Sequence, residues 1–144
     1  MLRRKINKRG ANAIEFAMLL PVFLTFVMGI VDFGYYFAAQ AVFDAAILEG
    51  TREGAITDPA GVSNDVSGVA EARVEEIAEV ICASDCVVSC LDQNVNTTVD
   101  GEGLSLREVQ CTLTWNFVPL VGFVPLPATV SSSGRQLLEW QRSS

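Results

Sequence analysis

Glu15 stands at the head of an apolar stretch, four residues after Ala11 and five after Gly10. A carboxylate in that setting is a functional group by default, because an ionised side chain in a membrane helix is costly at the centre and less so near the interface. If the chain is cut between Gly10 and Ala11, the new α-ammonium lies one helical turn from Glu15, or meets the Glu15 of a neighbouring chain. A cation at a helix N-terminus opposes the macrodipole, and a nearby carboxylate offsets both. A pair of this kind between chains would set the register of helices stacked in a membrane. The plainer reading is that Glu15 lies shallow enough to reach the headgroups.

The other residues able to do chemistry are four cysteines, Cys82, Cys86, Cys90 and Cys111. Histidine is absent, which excludes a Ser-His-Asp or Cys-His nucleophilic site, a histidine zinc ligand and a histidine proton relay. The remaining acids show no paired motif, and there is no Gly-rich phosphate loop or nucleophile elbow. We therefore expect no enzyme and no cofactor. A formal charge of −7 argues against nucleic acid as a partner, since phosphate neutralisation needs clustered Lys and Arg.

These groups must be positioned by a chain of 144 residues, enough for one domain. Its charge is divided sharply. Residues 1–10 hold five basic side chains (Arg3, Arg4, Lys5, Lys8, Arg9) and no acid, leaving five basic and all 17 acidic residues for positions 11–144. Phe16 to Val31 then runs without a charge. Taken from Ala11 to Val31 it is about 31 Å of helix, close to the thickness of a bilayer's hydrocarbon core. Lys and Arg beside such a span stay cytoplasmic, which reads as a basic cytoplasmic leader at 1–10, a transmembrane segment at 11–37 and everything later on the far side. Phe33, Tyr35, Tyr36 and Phe37 suit an aromatic belt at the outer interface. The competing reading is a signal peptide cleaved after Ala41, releasing a secreted binding domain, but the apolar run exceeds an ordinary h-region and Asp32 interrupts it.

From residue 38 to 56 the chain is alanine-rich and free of proline, so helix can continue beyond the membrane. Ala39, Val42, Phe43, Ala46, Ile47, Gly50 and Gly54 recur at three- and four-residue steps, with Gln40, Asp44, Thr51 and Arg52 elsewhere. Gly50 and Gly54 either admit a close backbone neighbour or weaken and end the helix. Pro21, inside the apolar part, removes a hydrogen bond and predicts a kink. A continuous helix over 11–56 would be about 69 Å long, half in lipid and half carrying a small domain. That plan is pilin-like.

Lys8-Arg9-Gly10 followed by Ala11-Asn12-Ala13-Ile14-Glu15-Phe16 resembles the prepilin peptidase site of type IV pilin-like proteins. GANAIEFAMLLPVF, GIVDFGYYF and DAAILEGTREGA are similar to the TadE-like pseudopilins of tight-adherence (Flp-type) pilus machinery, over roughly residues 8–56. The resemblance implies processing at Gly10 and Ala11 by an inner-membrane prepilin peptidase that also reads Glu15 and Phe16. It implies a minor pilin or assembly factor in the bacterial inner membrane, with its C-terminal domain periplasmic. The partners implied are membrane lipid, other pilins and pseudopilins, and the assembly platform, with Glu15, Pro21, Gly50 and Gly54 as candidate assembly residues. A static anchor protein without processing is the remaining alternative.

Beyond the helix, residues 57–68 read as a linker and 69–144 as a small α+β domain. Val69–Cys82 carries an apolar stripe of Ala70, Val74, Ile77, Ala78 and Ile81, with Glu71, Glu75, Glu76 and Glu79 as a solvated face. From Val87 onward the pattern changes to short strands: Val95–Val99 and Leu104–Val118 flank Asp100-Gly101-Glu102-Gly103, a hairpin turn, and the second run alternates apolar and polar side chains from Val109 to Phe117. LVGFVPLP is a loop whose Phe123 and Val124 would touch a partner, the membrane or the core. Ala128–Ser133 reads as a last strand and Gln136–Trp140 as a short helix. The fold class expected is α+β: a long N-terminal helix packed by a small antiparallel sheet and a second helix.

In an oxidising periplasm four cysteines read as two disulfides, with three possible connectivities. A turn centred on Gly101 and Glu102 sets Cys111 level with Asp92 and diagonal to Cys90, which favours Cys90 with Cys111 and Cys82 with Cys86. The rival is a zinc or iron–sulfur site of four thiolates, but the three-residue spacings do not match the two-residue loops of such sites.

Overall fold

The computed structural model describes residues 8–58, 65–83, 85–99, 102–122 and 124–139. The basic tip before Lys8, Pro59 and Gly61 of the linker, Asp100-Gly101 of the turn, Phe123 and Trp140 lie outside the described residues. The order is α1 (Lys8–Ile56), α2 (Val66–Cys82), β1 (Cys86–Val99), β2 (Glu102–Asn116) and β3 (Thr129–Leu137). The strands form one antiparallel sheet in the order β1-β2-β3. The fold is thus the expected α+β arrangement of a long N-terminal helix, a second helix and a small antiparallel sheet. Two compact units share α1: one is α1 up to Tyr35 with Pro119–Leu126, the other is Tyr36–Val118 with Pro127 onward.

In the first unit, α1 is apolar all round, and Phe16, Phe23 and Ile30 are 66%, 63% and 71% exposed. A helix without a polar face is either buried by protein or covered by lipid, and among the described residues α1 alone is long and apolar enough to cross a membrane. The helix runs through Pro21. Thr25 Oγ1 donates to the Pro21 carbonyl at 2.8 Å.

The second unit has its core where the rest of α1, α2 and the sheet meet. Ala39, Phe43, Ala46, Ile47 and Ala55 of α1 are buried, and so are Val66, Ala70, Val74, Ala78 and Cys82, one per turn of α2. Gly50 and Gly54 are where the two helices touch. A Cβ on Gly50 would lie 2.8 Å from the Ala70 carbonyl, and one on Gly54 would lie 2.9 Å from Ala70 Cβ. The close backbone neighbour is therefore α2 of the same chain. Thr51, read from its type as lying off the apolar side, is buried instead; its hydroxyl donates to the Ile47 carbonyl at 2.8 Å, which satisfies it.

β2 supplies the core side of the sheet through Val109, Cys111, Leu113 and Trp115, with Phe117 just past its end. Phe43, Trp115, Phe117 and Tyr36 follow one another edge to face at 5.8, 5.7 and 5.3 Å, the geometry aromatic quadrupoles prefer. Gly134 of β3 leaves room for Ile47, which a Cβ there would meet at 2.6 Å.

Several boundaries differ from the sequence reading. β1 is one continuous strand from Cys86, where the sequence reads short strands from Val87 with a defined one at Val95–Val99, and it pairs as far as Val99 with Glu102. Only two residues separate that last pair, so the turn is centred one position earlier than expected and Cys111 faces Cys90 directly. The disulfides are Cys82–Cys86, which ties the end of α2 to the start of β1, and Cys90–Cys111, across the β1–β2 ladder. All four sulfurs are thereby paired in the expected connectivity. Gln136 and Leu137 are not helical: they pair with Val109 and Glu108 at the end of β3.

α2 begins at Val66 because Asp65 caps it, accepting from Gly68 N–H at 2.8 Å and from Ser67 Oγ at 2.9 Å. The Gly68 amide, and then the Ser67 hydroxyl, hold this carboxyl below its ordinary 3.8. A lowered folded pKa means stability that is full above the unfolded value and lost as pH falls through the folded one. We expect Asp65→Ala to lower the unfolding temperature at pH 7 and to leave a smaller further loss between pH 5 and 3 than the parent shows, as read by circular dichroism in detergent. Equal acid sensitivity in the two proteins would refute the cap's role.

Candidate functional site

The first candidate site is the start of α1. Gly10 and Ala11 lie in its opening turns, where backbone N–H groups have no intrahelical partner. Glu15 follows Ala11 by one turn, exposed together with Ile14, Phe16 and Met18. The carboxylate therefore projects from a lipid-type surface, one helical step from the bond at which a new N-terminus would form. Pro21 lies further along the same exposed segment, whereas Gly50 and Gly54 are buried beneath α2 in the other unit.

The second candidate site was not legible as one. Asp32, read as the charge that ends the apolar run, is fully buried. Its two carboxylate oxygens accept from Val121 N–H at 2.9 Å and Gly122 N–H at 3.0 Å, gripping the loop Pro119–Leu126 by its backbone. Gly122 has φ +72°, the left-handed conformation that glycine adopts without strain. One turn earlier Gly29 leaves space for Val124, whose Cγ2 would lie 3.4 Å from a Cβ there. Thr25, Phe26, Ile30, Phe33 and Val124 border an apolar groove at this place. Both N–H groups would be orphaned in an apolar medium without Asp32, and bonds to a carboxylate are the stronger kind.

The signal that would have pointed to this clamp is the pairing of an acid in an apolar helix with a distant glycine-containing loop that has no polar side chain to satisfy its own backbone. The aromatics after Asp32 divide. Tyr36 joins the core of the second unit against Phe117, while Phe33 and Phe37 stay exposed at 42% and 63%.

The family model described as TadE-like protein matches residues 10–52, the stretch that runs from Gly10 through Glu15, Pro21 and Asp32 to the core-facing part of α1. No curated protein and no solved structure matches the chain.

Proposed function

With a TadE-like segment over residues 10–52 as the premise, we propose that this chain is a membrane-anchored minor pilin or pseudopilin that takes part in assembling a tight-adherence (Flp-type) pilus. The observation that carries the reading is the coincidence of that segment with a lipid-type helix bearing Glu15 one turn after Ala11. In this reading the basic tip stays in the cytoplasm, α1 crosses the inner membrane, and the disulfide-bonded domain lies in the periplasm. A prepilin peptidase removes residues 1–10, and the freed α-ammonium pairs with Glu15 of its own or a neighbouring subunit. The partners are then other pilins, the assembly platform and lipid. The protein performs no reaction, and its chemistry is that of docking and register.

Release by cleavage after Ala41 fits the fold poorly. That bond lies within α1, and the cut would strip the buried Ala39 and the ring of Tyr36 from the core.

The mature N-terminus tests the proposal. Mass spectrometry of the protein from its native membrane is expected to find Ala11, and Gly10→Trp is expected to leave the chain larger on a gel by the ten-residue tip. Val42 as the first residue would end the pilus reading. Full-length chains from both proteins would leave a static anchor.

A further inference from the structure

The loop gripped by Asp32 has an unusual composition for a segment outside a helix or strand. From Phe117 to Pro127 the sequence is FVPLVGFVPLP, eleven residues without one polar or charged side chain, and no charged residue occurs from 117 to 134. Leu120 and Val121 are exposed, Leu120 at 66%. In water such a surface is unfavourable by roughly 25 cal/mol for each Å² of apolar area. In lipid the same surface has no such cost, but every backbone N–H then needs an acceptor.

The loop meets part of that second demand. Pro119, Pro125 and Pro127 have no N–H to satisfy. Val121 and Gly122 donate to Asp32, and Phe117 donates to the Ala128 carbonyl at 2.9 Å. The position along α1 agrees. Asp32 is seventeen residues past Glu15, about 26 Å at 1.5 Å per residue, and so lies near the outer edge of a hydrocarbon core about 30 Å thick that begins by Glu15. Val124 rests on Gly29, a further 4.5 Å or so toward the membrane centre.

We propose that the loop Pro119–Leu126 is a second membrane element: it enters the outer leaflet beside α1, with Leu120 and Val121 among the lipid acyl chains and Asp32 accepting from the Val121 and Gly122 amides. The proposal rests on α1 spanning the membrane as read above. Lipid is favoured over a protein groove as the occupant because the loop surface continues the lipid-type face of α1 and carries no polar group that would direct a specific partner. Asp32 is then a positioning residue. It holds an irregular segment at the edge of the hydrocarbon core by two of its amides.

The test uses the full-length protein in phosphatidylethanolamine/phosphatidylglycerol vesicles. The native cysteines are all disulfide-bonded, so a single nitroxide can be placed in turn through Leu120→Cys, Phe23→Cys and Val80→Cys. Val80, on α2, is 83% exposed and serves as the water reference. At position 120 collisions with a water-soluble nickel chelate are expected to be several-fold fewer than at position 80, and collisions with oxygen more frequent, as at position 23. Asp32→Ala is expected to return position 120 to nickel-accessible values while leaving position 23 shielded.

Nickel access at 120 equal to that at 80, with 23 shielded, would overturn the loop's immersion and leave the anchor standing. Access at 23 as well would overturn both. Dipolar broadening at 120 that vanishes on dilution with unlabelled protein would mean that a second copy, not lipid, covers the loop. A loop still shielded in Asp32→Ala would remove Asp32 from its positioning role.

Discussion

Replacing both Cys90 and Cys111 by alanine is expected to lower the unfolding free energy by about 3 kcal/mol, against about 2 kcal/mol for the Cys82→Ala/Cys86→Ala pair. The difference follows from the chain each bridge encloses. Cys90–Cys111 spans 21 positions and Cys82–Cys86 only 4, and the entropy removed from the unfolded chain grows with the logarithm of that length. Double variants are needed because a single replacement leaves a buried, reactive thiol: Cys111 is fully buried and Cys90 nearly so. Both bridges also sit where the loss would be felt. Cys111 lies at the centre of the sheet between Cys90 of β1 and Gly134 of β3. Urea titration of the detergent-solubilised chain, followed by circular dichroism, measures both. Equal losses from the two pairs would show that something other than loop closure dominates.

Glu15→Ala is expected to abolish or severely reduce piliation while the protein still inserts into the membrane, or inserts better. Removing the carboxylate relieves the helix of a group whose transfer is unfavourable, by about 3 kcal/mol at a helix centre and less at its end. Insertion is thus relieved of a cost, whereas any pairing with a neighbouring α-ammonium disappears. Glu15→Gln separates the two contributions of the side chain. It keeps the shape and hydrogen-bonding capacity and loses the charge, so assembly should fail in it too if the ion pair sets the register. Pili counted by electron microscopy, alongside membrane fractionation of the same cells, give the answer. Normal piliation by Glu15→Ala would remove the carboxylate from assembly.

Much of this architecture was legible because it rests on one-dimensional patterns. A long uncharged run beside a basic tip reads as a membrane helix, and the alternation from Val109 to Phe117 reads as a strand with one buried face. The errors came where a distant partner decides. Strand character begins at Val87, but only Val95–Val99 reads as a defined strand before the turn because Ser89, Asp92, Gln93 and Asn94 have weak strand preference alone; in the sheet they pair with Thr112, Val109, Glu108 and Arg107. Gln136 and Leu137 have helical character in isolation and are held in β3 by the opposite edge of β2. Val66 to Gly68 looked like linker because glycine disfavours helix, and the Asp65 cap outweighs it.

The disulfide register shows how small a misreading can be. Moving the turn centre by one residue shifts every cross-strand pair by two, which keeps each side chain on its face. Cys90 and Cys111 were therefore placed on the same face but one pair apart. Asp32 failed for a different reason. Its meaning depends on the amides of Val121 and Gly122, some ninety residues later, and no local pattern announces a backbone donor in need of an acceptor.

The construction of the second unit also has a consequence in time. Its innermost helix is made first: Phe43 and Ile47 leave the ribosome well before Trp115 and Gly134, the groups that cover them. At translation rates of about 5 to 20 residues per second, the 72 residues between Phe43 and Trp115 take roughly 4 to 15 s to appear. Throughout that interval an apolar helix face waits without its own sheet. The nascent chain is thus at its most aggregation-prone before its last strand exists, and whatever shelters it then, bilayer or chaperone, acts on α1 and not on the finished domain.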